Sequence, residues 1–527
     1  MLKMVDGTGI IGVDMICPLG ISTPQPPNYD RVELEGTGML VLPNSLDAPL
    51  ERLELGGKTE QVQTTGKNLF DPNNNYEDLV WIRNDGEIAG GSNARTSDYI
   101  SVEQGNYAFQ FDVINYNQMF VAGYNTDKQF VKIVGTISRG KCIIKIDNIE
   151  IETIRLSYTR ESTRIQLERS ETQTPYEPYT GGKPAPSPEY PQEIKSVGKW
   201  NGEKQKYEVD VKITGKNLFD IEKASEKANW TQHNNFPGYY NFPVFVGKDN
   251  TVTISIPQKI PTGQGLFLSV CLSESGGREG WIAHNSNASL NNAKLTYKAT
   301  TDYIYLNAHS DTIAGMERFF GELQIECGNV ATPYQPYTEQ SLTLTSDRPL
   351  TKWDKLVEQD GQIGWLYSTK KYIVTGQELF ETKPSYVMEE TVDFSFMNNK
   401  QSGIRKATDN FCNRLTFVDS VWSKRDIGFG ISGSEVHIRL SLDTIGATKT
   451  DESEIIKNKF TEYLSKKYSD GEPFAFWHKS KTQEFVPLPQ SEQDAVRNLR
   501  TYYPTTVITV DGGELDPDIK VTYRKEI

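Results

Sequence analysis

The side chains in this sequence best suited to recognition chemistry are aromatic rings set among amides. Trp230, Tyr239 and Tyr240 fall in ANWTQHNNFPGYYNF, and Trp281 falls in GGREGWIAHNSNASLNN, both loop-like stretches rich in Asn and Gly. Trp81, Tyr116 and Tyr124 are their counterparts nearer the N-terminus. A pyranose ring has one apolar face and a hydroxyl-bearing edge, so flat aromatic rings stack on the face while Asn, Gln, Asp or Arg bond the edge. The competing reading of any one of these rings is a core or interface aromatic. Catalytic chemistry is less visible. The five histidines (His233, His284, His309, His437, His478) never approach HExxH spacing, and there is no GxSxG nucleophile turn and no GxxxxGK[ST] phosphate loop. GFGISG (Gly428–Gly433) sits between strand-like stretches rather than opening a helix, which predicts a β-turn and not a nucleotide site. The carboxylate pair of a glycoside hydrolase is defined by a separation of about 5–9 Å, which a sequence does not display. The expectation is a binding or structural protein rather than an enzyme, with no catalytic residue, no metal site and no cofactor; a glycan depolymerase is the lesser alternative.

The elements that would carry these rings are organised by a repeat. TTGKNLFD (Thr64–Asp71) returns as ITGKNLFD (Ile213–Asp220) and, decayed, as VTGQELFE (Val374–Glu381). The first two copies are each followed by a closing motif, QLERSETQTPYEPYT (Gln166–Thr180) and QIECGNVATPYQPYT (Gln324–Thr338). Both ends of two modules are thereby marked, at residues 66–180 and 215–338. Between the marks, Tyr99–Val113, Lys141–Tyr158, Asn250–Ile256, Gly265–Leu272 and Asp302–His309 alternate apolar and polar residues between turn signals, the pattern of short strands in an antiparallel, jelly-roll-like sandwich. GKNLFD itself reads as structural: its glycine makes a tight turn, Leu69 and Phe70 (Leu218 and Phe219) alternate into a core, and Asn68 or Asp71 satisfies turn amides.

Hairpin connectors are expected at 45–65, 181–214 and 339–375. The second begins with GGKPAPSPEYPQE, whose four prolines predict a stiff extended spacer. Residues 376–527 differ: Ile455, Ile456, Phe460, Tyr463 and Leu464 recur at helical spacing behind a candidate capping box (Asp451, Glu454), and a second helix start is placed at Ser491, giving a β-rich domain with one or two helices. The fold class is therefore mainly β, and the 527 residues allow about three to five domains.

Composition narrows the partners. A formal charge of −14 without runs of like charge argues against nucleic acid. The opening MLKMVDGTGIIGVDMICPLG is interrupted by Asp6, Gly7, Gly9 and Asp14, which fits neither a membrane span nor a signal peptide. The five cysteines (Cys17, Cys142, Cys271, Cys327, Cys412) are scattered and read as buried reduced thiols, a Cys271–Cys327 bridge being the alternative.

The run GKNLFD, the strand YISVEQGNY, VAGYNTDKQFV, the closing TPYEPYTGGKPAPSPEYPQEI and the terminal VPLPQSEQDAVRNLRTYYPTTVITV together resemble tail-tip, baseplate or receptor-binding tail proteins of long-tailed bacteriophages that infect Gram-positive bacteria. The resemblance covers residues 45–527. It implies sandwich modules similar to carbohydrate-binding modules, a place on the virion after synthesis in the bacterial cytoplasm, other tail proteins as partners, a homo-oligomer with a trimer favoured, and host adhesion through cell-wall saccharide, or a purely architectural role. Residues 1–44 lie outside it and are the candidate attachment segment. VTGQELFE departs from the pattern, losing the Lys-Asn pair and the TPYxPYT closure.

Overall fold

Strands predominate because the alternating segments can bury one face and hydrate the other. The computed structural model describes residues 34–43, 46–112, 119–138, 140–190, 192–232, 237–256, 268–271, 281–283, 293–378, 380–382, 391–397, 410–418, 427–432 and 435–523. The fold is mainly β, with antiparallel ladders and five short-to-medium α-helices among these residues. The chain divides into two compact units, one made of residues up to Glu60, Lys195–Thr369 and from Thr482, the other of Gln61–Ile194 and Lys370–Lys481.

The two repeated modules have one topology. In the first, the large sheet runs Phe130–Ile137, Met119–Tyr124, Thr153–Thr159, Ile88–Ser97, Tyr76–Ile82, and the small sheet Lys141–Ile146, Gly105–Gln110, Gln166–Glu168. In the second, the large sheet runs Trp281–Ala283, Leu268–Cys271, Tyr303–His309, Tyr239–Phe245, Thr231–Gln232, and the small sheet Ala293–Lys298, Thr251–Ile256, Gln324–Cys327. Each of these strands has its counterpart in the same place, and the first module adds Ile100–Ser101, paired with Thr153–Thr159. Between the sheets lie Phe70, Phe109, Val121, Ile144, Ile154, Leu156 and Leu167 in one module, and Phe219, Val244, Ile254, Ile304, Leu306 and Ile325 in the other. The Asp147-Asn148 turn falls between strands as the sequence suggested, whereas of Gln104-Gly105-Asn106 only Gln104 lies outside a strand, the next one beginning already at Gly105.

The two motifs that bound a module form one clasp. Asn68 Nδ2 donates to the carbonyls of Ile165 (3.0 Å) and Glu177 (2.9 Å), and its Oδ1 accepts from the amides of Phe70 (3.0 Å) and Leu167 (3.1 Å). Asn217 repeats this with the carbonyls of Leu323 (3.3 Å) and Gln335 (3.1 Å) and the amides of Phe219 (3.0 Å) and Ile325 (3.1 Å). Lys67 donates to Thr174 Oγ1 and the Pro175 carbonyl, and Lys216 to Thr332 Oγ1 and the Pro333 carbonyl. The buried carboxylates of Glu168 and Glu326 each accept from the amide and hydroxyl of that same threonine, at 2.9 and 2.7 Å in both modules. Phe70 and Phe219 occupy matching core positions beneath the clasp. A Cβ on Gly66 would lie 2.6 Å from the Lys183 backbone, and one on Gly215 2.6 Å from Thr338 Oγ1, so the glycines permit a close approach.

The expected hairpin connectors do not remain three small separate elements. Strands from 34–60, 195–214, 339–369 and the C-terminal stretch from 482 build a single two-sheet core. One sheet contains Lys206–Thr214, flanked by Glu339–Ser346 on one side and by Lys199–Asn201 and Thr505–Asp511 on the other, with Met39–Pro43 beyond. The other contains Leu34–Thr37, Asp518–Tyr523, Leu50–Gly56, Lys355–Gln359 and the parts of Gln362–Ile373 and Ala475–Pro487 in this unit. Leu42, Leu55, Val209, Ile213, Trp365 and Ile508 meet between them. The second module is thus inserted between Thr214 and Glu339, two residues that pair across adjacent strands. The supposed C-terminal domain is divided accordingly, with 482–523 completing this core and 376–481 belonging to the other unit.

Other expectations are corrected in the remaining part. The Pro-rich stretch is not an extended spacer. It folds back on the module, with the Ala185 amide bonded to the Thr64 carbonyl, and the fully buried Arg414 donates to the Pro188 carbonyl at 3.0 Å. VTGQELFE opens a different fold, a four-stranded sheet (Phe380–Thr382, Thr391–Met397, Glu435–Ser441, Gly428–Ser432) packed by the helix Ser453–Ser469. Glu378 in place of Asn accepts from the Thr375 and Gly376 amides, at 2.8 Å each, and a carboxylate has no donor with which to bond carbonyls, so no clasp can close. The helix buries Ile456, Phe460 and Leu464, leaving Ile455 exposed. Its capping box does not form, because Asp451 accepts instead from Thr448 and Lys459. The second helix begins at Gln490 behind Pro489, not at Ser491. Gly428–Ser432 of the glycine-rich run is a strand rather than a turn. Cys142 and Cys412 are buried thiols, their pKa pushed up by burial to about 11 and about 12, and Cys327 is likewise free; Cys17 and the Cys271 side chain lie outside the described residues.

Removing the clasp amide strands two buried carbonyls and two buried amides, each costing about 1–3 kcal/mol when left without a partner. Asn217→Ala is expected to destabilise the second module by about 3–5 kcal/mol, and Asn217→Asp by at least as much, since it sets a buried carboxylate oxygen against the Leu323 and Gln335 carbonyls. Denaturant titration of the two variants checks this; a stability for Asn217→Asp close to that of the unaltered chain would show that the donor half of the clasp contributes nothing.

Candidate functional site

The period-2 alternation of strand side chains gives each large sheet a core face and an opposite face. In the second module Ile304, Leu306 and Ala308 point to the core, so Tyr303, Tyr305, Asn307 and His309 take the opposite face. Their partners across the ladder are Phe245, Pro243, Asn241 and Tyr239 in that order. The result is a row of pairs: Tyr239 with His309, rings 5.2 Å apart at 73°; Asn241 with Asn307, whose Nδ2 donates to the Asn241 Oδ1 at 2.9 Å; Pro243 with Tyr305; and Phe245 with Tyr303, rings 5.2 Å apart at 77°. Steps of two residues along a strand are about 6.8 Å, so the four pairs extend over about 20 Å. The two asparagines are buried at the floor, Tyr303 is exposed, and Tyr239, Tyr305 and His309 are half-buried. His309 Nδ1 accepts from the Asp311 amide at 3.3 Å, which fixes its ring. Aromatic faces of this kind can stack on the apolar face of a sugar-like ligand, while the two amides bond each other.

The residues proposed from sequence are distributed unevenly over this geometry. Tyr239 is in the row. Trp230 is corrected from a ligand platform to a core residue: it is buried against Phe242, and its indole N–H donates to the Ala224 carbonyl at 2.8 Å. Tyr240, one residue from the row, turns the other way and packs on the core, with the Lys227 ammonium 4.5 Å from its ring centre. Trp281 belongs to a strand in register with Cys271, which in turn pairs with Tyr305, but its side chain lies outside the described residues. Tyr305, Asn241, Asn307 and His309 were missed. The available signal was the alternation in YIYLNAH, which puts every polar or aromatic residue on one side, but without the pairing of Asn241 and Asn307 it reads as an ordinary half-hydrated strand.

The matching face of the first module is filled from within. Tyr124 is buried, its ring 5.0 Å from Tyr99 and 6.2 Å from Phe130. Ile82 is buried beside it with Ala122. Arg155, at the position of Tyr305, donates to the Ser97 carbonyl (2.8 Å) and to Glu77 (2.7 Å) and lies over the Tyr99 ring. Ser157, at the position of Asn307, accepts from the Ile82 amide at 2.9 Å. Trp81 packs half-buried on the core, and Tyr116 lies outside the described residues. Neither Tyr124 nor Trp81 therefore presents a free ring face of the kind the sequence reading asked for.

One histidine marks a constellation that sequence did not reveal. On the sheet face of the C-terminal part that points away from its core, His437 Nδ1 lies 3.2 Å from Asp393, and Arg439 lies 3.4 Å from the same carboxylate, all three buried. The pattern VDFSF opposite VHIRL encodes it, but only the pairing of Asp393 with Arg439 and Ser395 with His437 brings it together. Buried charges of opposite sign in contact satisfy one another, and the arrangement reads as a structural ion cluster. In the central core, a cavity of about 230 Å³ is lined by Leu50, Arg52, Glu358, Ile363, Val496 and Arg497, without an aromatic ring. His233 and His284 lie outside the described residues. No protein-family model, no curated protein and no solved structure matches this chain.

His478 is buried in the strand Ala475–Pro487, and burial, with Lys370 nearby, lowers its pKa from 6.5 to about 4. In that window the unfolded chain takes up a proton that the folded one refuses, so stability falls as pH drops from 6.5 to 4. The full loss is on the order of 3 kcal/mol. Denaturant midpoints measured across this range should show the decline, and H478Q should flatten it; an unchanged slope in the variant would assign the acid sensitivity to other groups.

Proposed function

We propose that this chain is a tail-tip or baseplate component of a bacteriophage of Gram-positive bacteria, carried on the virion, and that it contributes to host adhesion by binding cell-wall saccharide. The observation that supports the adhesive part is the outward row of the second module, in which aromatic rings flank a pair of buried, mutually bonded asparagines. Rings of this kind stack on the apolar face of a pyranose, and the asparagines between them bond one another. The virion assignment is supported by the ordered motif resemblance and by the strict duplication of the clasp, which suits a chain assembled from interchangeable modules. A purely architectural role is the second reading, favoured by the self-filled face of the first module.

Co-sedimentation of the full chain with purified Gram-positive cell walls separates the two. Adhesion through sugar predicts binding that survives protease treatment of the walls and is lost after periodate oxidation, which cleaves vicinal diols. Failure to sediment with walls from a broad panel of such bacteria would leave the architectural reading standing. Assembly on a symmetric tail further predicts a homo-oligomer, a trimer for preference, by light scattering; a monomer at high concentration would count against self-association.

A further inference from the structure

A hydroxyl, a carboxylate that accepts its proton and a carboxamide beside both are the parts of an acyl transfer, and the clasp sets all three together. In the second module Thr332 Oγ1 donates to Glu326 Oε2 at 2.7 Å and accepts from the Lys216 ammonium. The Gln324 side-chain nitrogen lies 3.4 Å from the same hydroxyl oxygen and donates to the other oxygen of the carboxylate, Glu326 Oε1, at 2.8 Å. Gln324 Oε1 accepts from the Gln335 amide at 2.9 Å. The orientation of the carboxamide follows from its partners, since a carboxylate only accepts and a backbone amide only donates. Gln324 and Glu326 are both buried.

Buried polar groups bond one another in any folded chain, but that need does not dictate this order of partners. One carboxylate bridges the atom that would attack and the atom that would leave. Glu326 can take the hydroxyl proton through one oxygen and pass it to the amide nitrogen through the other. The charge on Lys216 favours a hydroxyl oxygen that is giving up its proton, and the Gln335 N–H faces the carbonyl oxygen on which negative charge would gather. Contact within one chain replaces a bimolecular encounter. The first module repeats the set: Thr174 Oγ1 donates to Glu168 Oε2 at 2.7 Å and accepts from Lys67, Gln166 donates to Glu168 Oε1 at 2.9 Å, and the Glu177 amide donates to Gln166 Oε1 at 2.7 Å. The five residues between glutamate and threonine, RSETQ in one copy and CGNVA in the other, share nothing, so the recurrence is confined to the groups in contact.

We propose that the two modules close covalently, each by an ester between the threonine hydroxyl and the glutamine side chain, Thr332 with Gln324 and Thr174 with Gln166. The hydroxyl oxygen bonds to the side-chain carbonyl carbon and the carbon–nitrogen bond of the carboxamide breaks. The hydroxyl proton travels through the glutamate to the departing nitrogen, which leaves as ammonia. Nothing is oxidised or reduced, and the glutamate ends as it began. Escape of ammonia to solvent draws the exchange forward against the resonance of the amide, and burial keeps water from the ester. The bond fixes the closing segment to the last strand of the small sheet.

Mass spectrometry of the denatured full chain tests this. The chain should be lighter than its sequence by one ammonia for each bond, two in all. A protease that cuts after glutamate separates Glu326 from Cys327 and Glu168 from Arg169. The ester should nevertheless hold residues 323–326 to 327–339, and hydroxylamine should part them. Thr332→Val and Glu326→Gln should each restore the mass of one ammonia, with the bond of the first module retained as the internal control. A chain with the full mass of its sequence, both when fresh and after long incubation, would overturn the proposal. So would a deficit that persists when Thr174→Val and Thr332→Val are combined, because the ammonia would then come from elsewhere. A deficit of a single ammonia would overturn it for whichever module yields separate peptides.

Discussion

Each module hangs on one amide side chain. Asn68 and Asn217 stand at the point where the chain enters a sandwich, and they bond backbone groups on both the strand that closes the small sheet and the segment that leaves the module. Asparagine is suited to this because a single side chain carries two donors and an acceptor oxygen with two lone pairs, and here all are directed at backbone groups that would otherwise be buried without partners. The neighbouring lysine and the buried glutamate add charge-assisted bonds to the same threonine. Entry and exit are held side by side as a consequence. A module closed in this way can be inserted into a sheet without disturbing the ladder around it.

The central core shows what that closure permits. Its two sheets draw strands from four distant stretches of sequence, and the second module leaves and returns through neighbouring residues of paired strands, Thr214 and Glu339. Glu339 is held by more than the ladder: burial raises its pKa, but Lys212, Tyr337 and Lys223 outweigh it and bring the carboxyl down to about 2. An ionised carboxylate therefore ties the module's exit to the core at any pH the protein meets in ordinary use. The decayed third copy makes the converse point. Once glutamate replaces asparagine at 378, the bonds turn back on the local turn, and the chain proceeds into a sheet and helix packed through Phe380, Phe394 and Phe460.

Equal scaffolds did not keep equal faces. The clasp and core constrain every residue they touch, whereas the outward row is free to change provided its buried groups remain paired. Arg155 with Glu77 and Asn241 with Asn307 are two solutions to that requirement, one sealing the face and one lining it. The buried Asp393, His437 and Arg439 cluster is a third, in an unrelated sheet.

The sequence alone was enough for the β class and the structural role of GKNLFD, because strand alternation and a duplicated motif are local or self-referential signals that need no knowledge of what packs on what. The same reasoning placed Leu69, Phe70, Leu218 and Phe219 toward the interior. It placed Trp230 wrongly, since an Asn- and Gly-rich neighbourhood describes the backbone around a ring and not the direction in which the ring points; a hydrogen bond to Ala224 and contact with Phe242 settled that. The three hairpin connectors read as separate because their mutual pairing spans up to several hundred residues of chain, a distance over which alternation carries no register. For the same reason the row of Tyr239, Asn241, Tyr305, Asn307 and His309 existed in the sequence only as two unrelated strands. Cross-strand register brings them into one row, and register is a property of the folded chain.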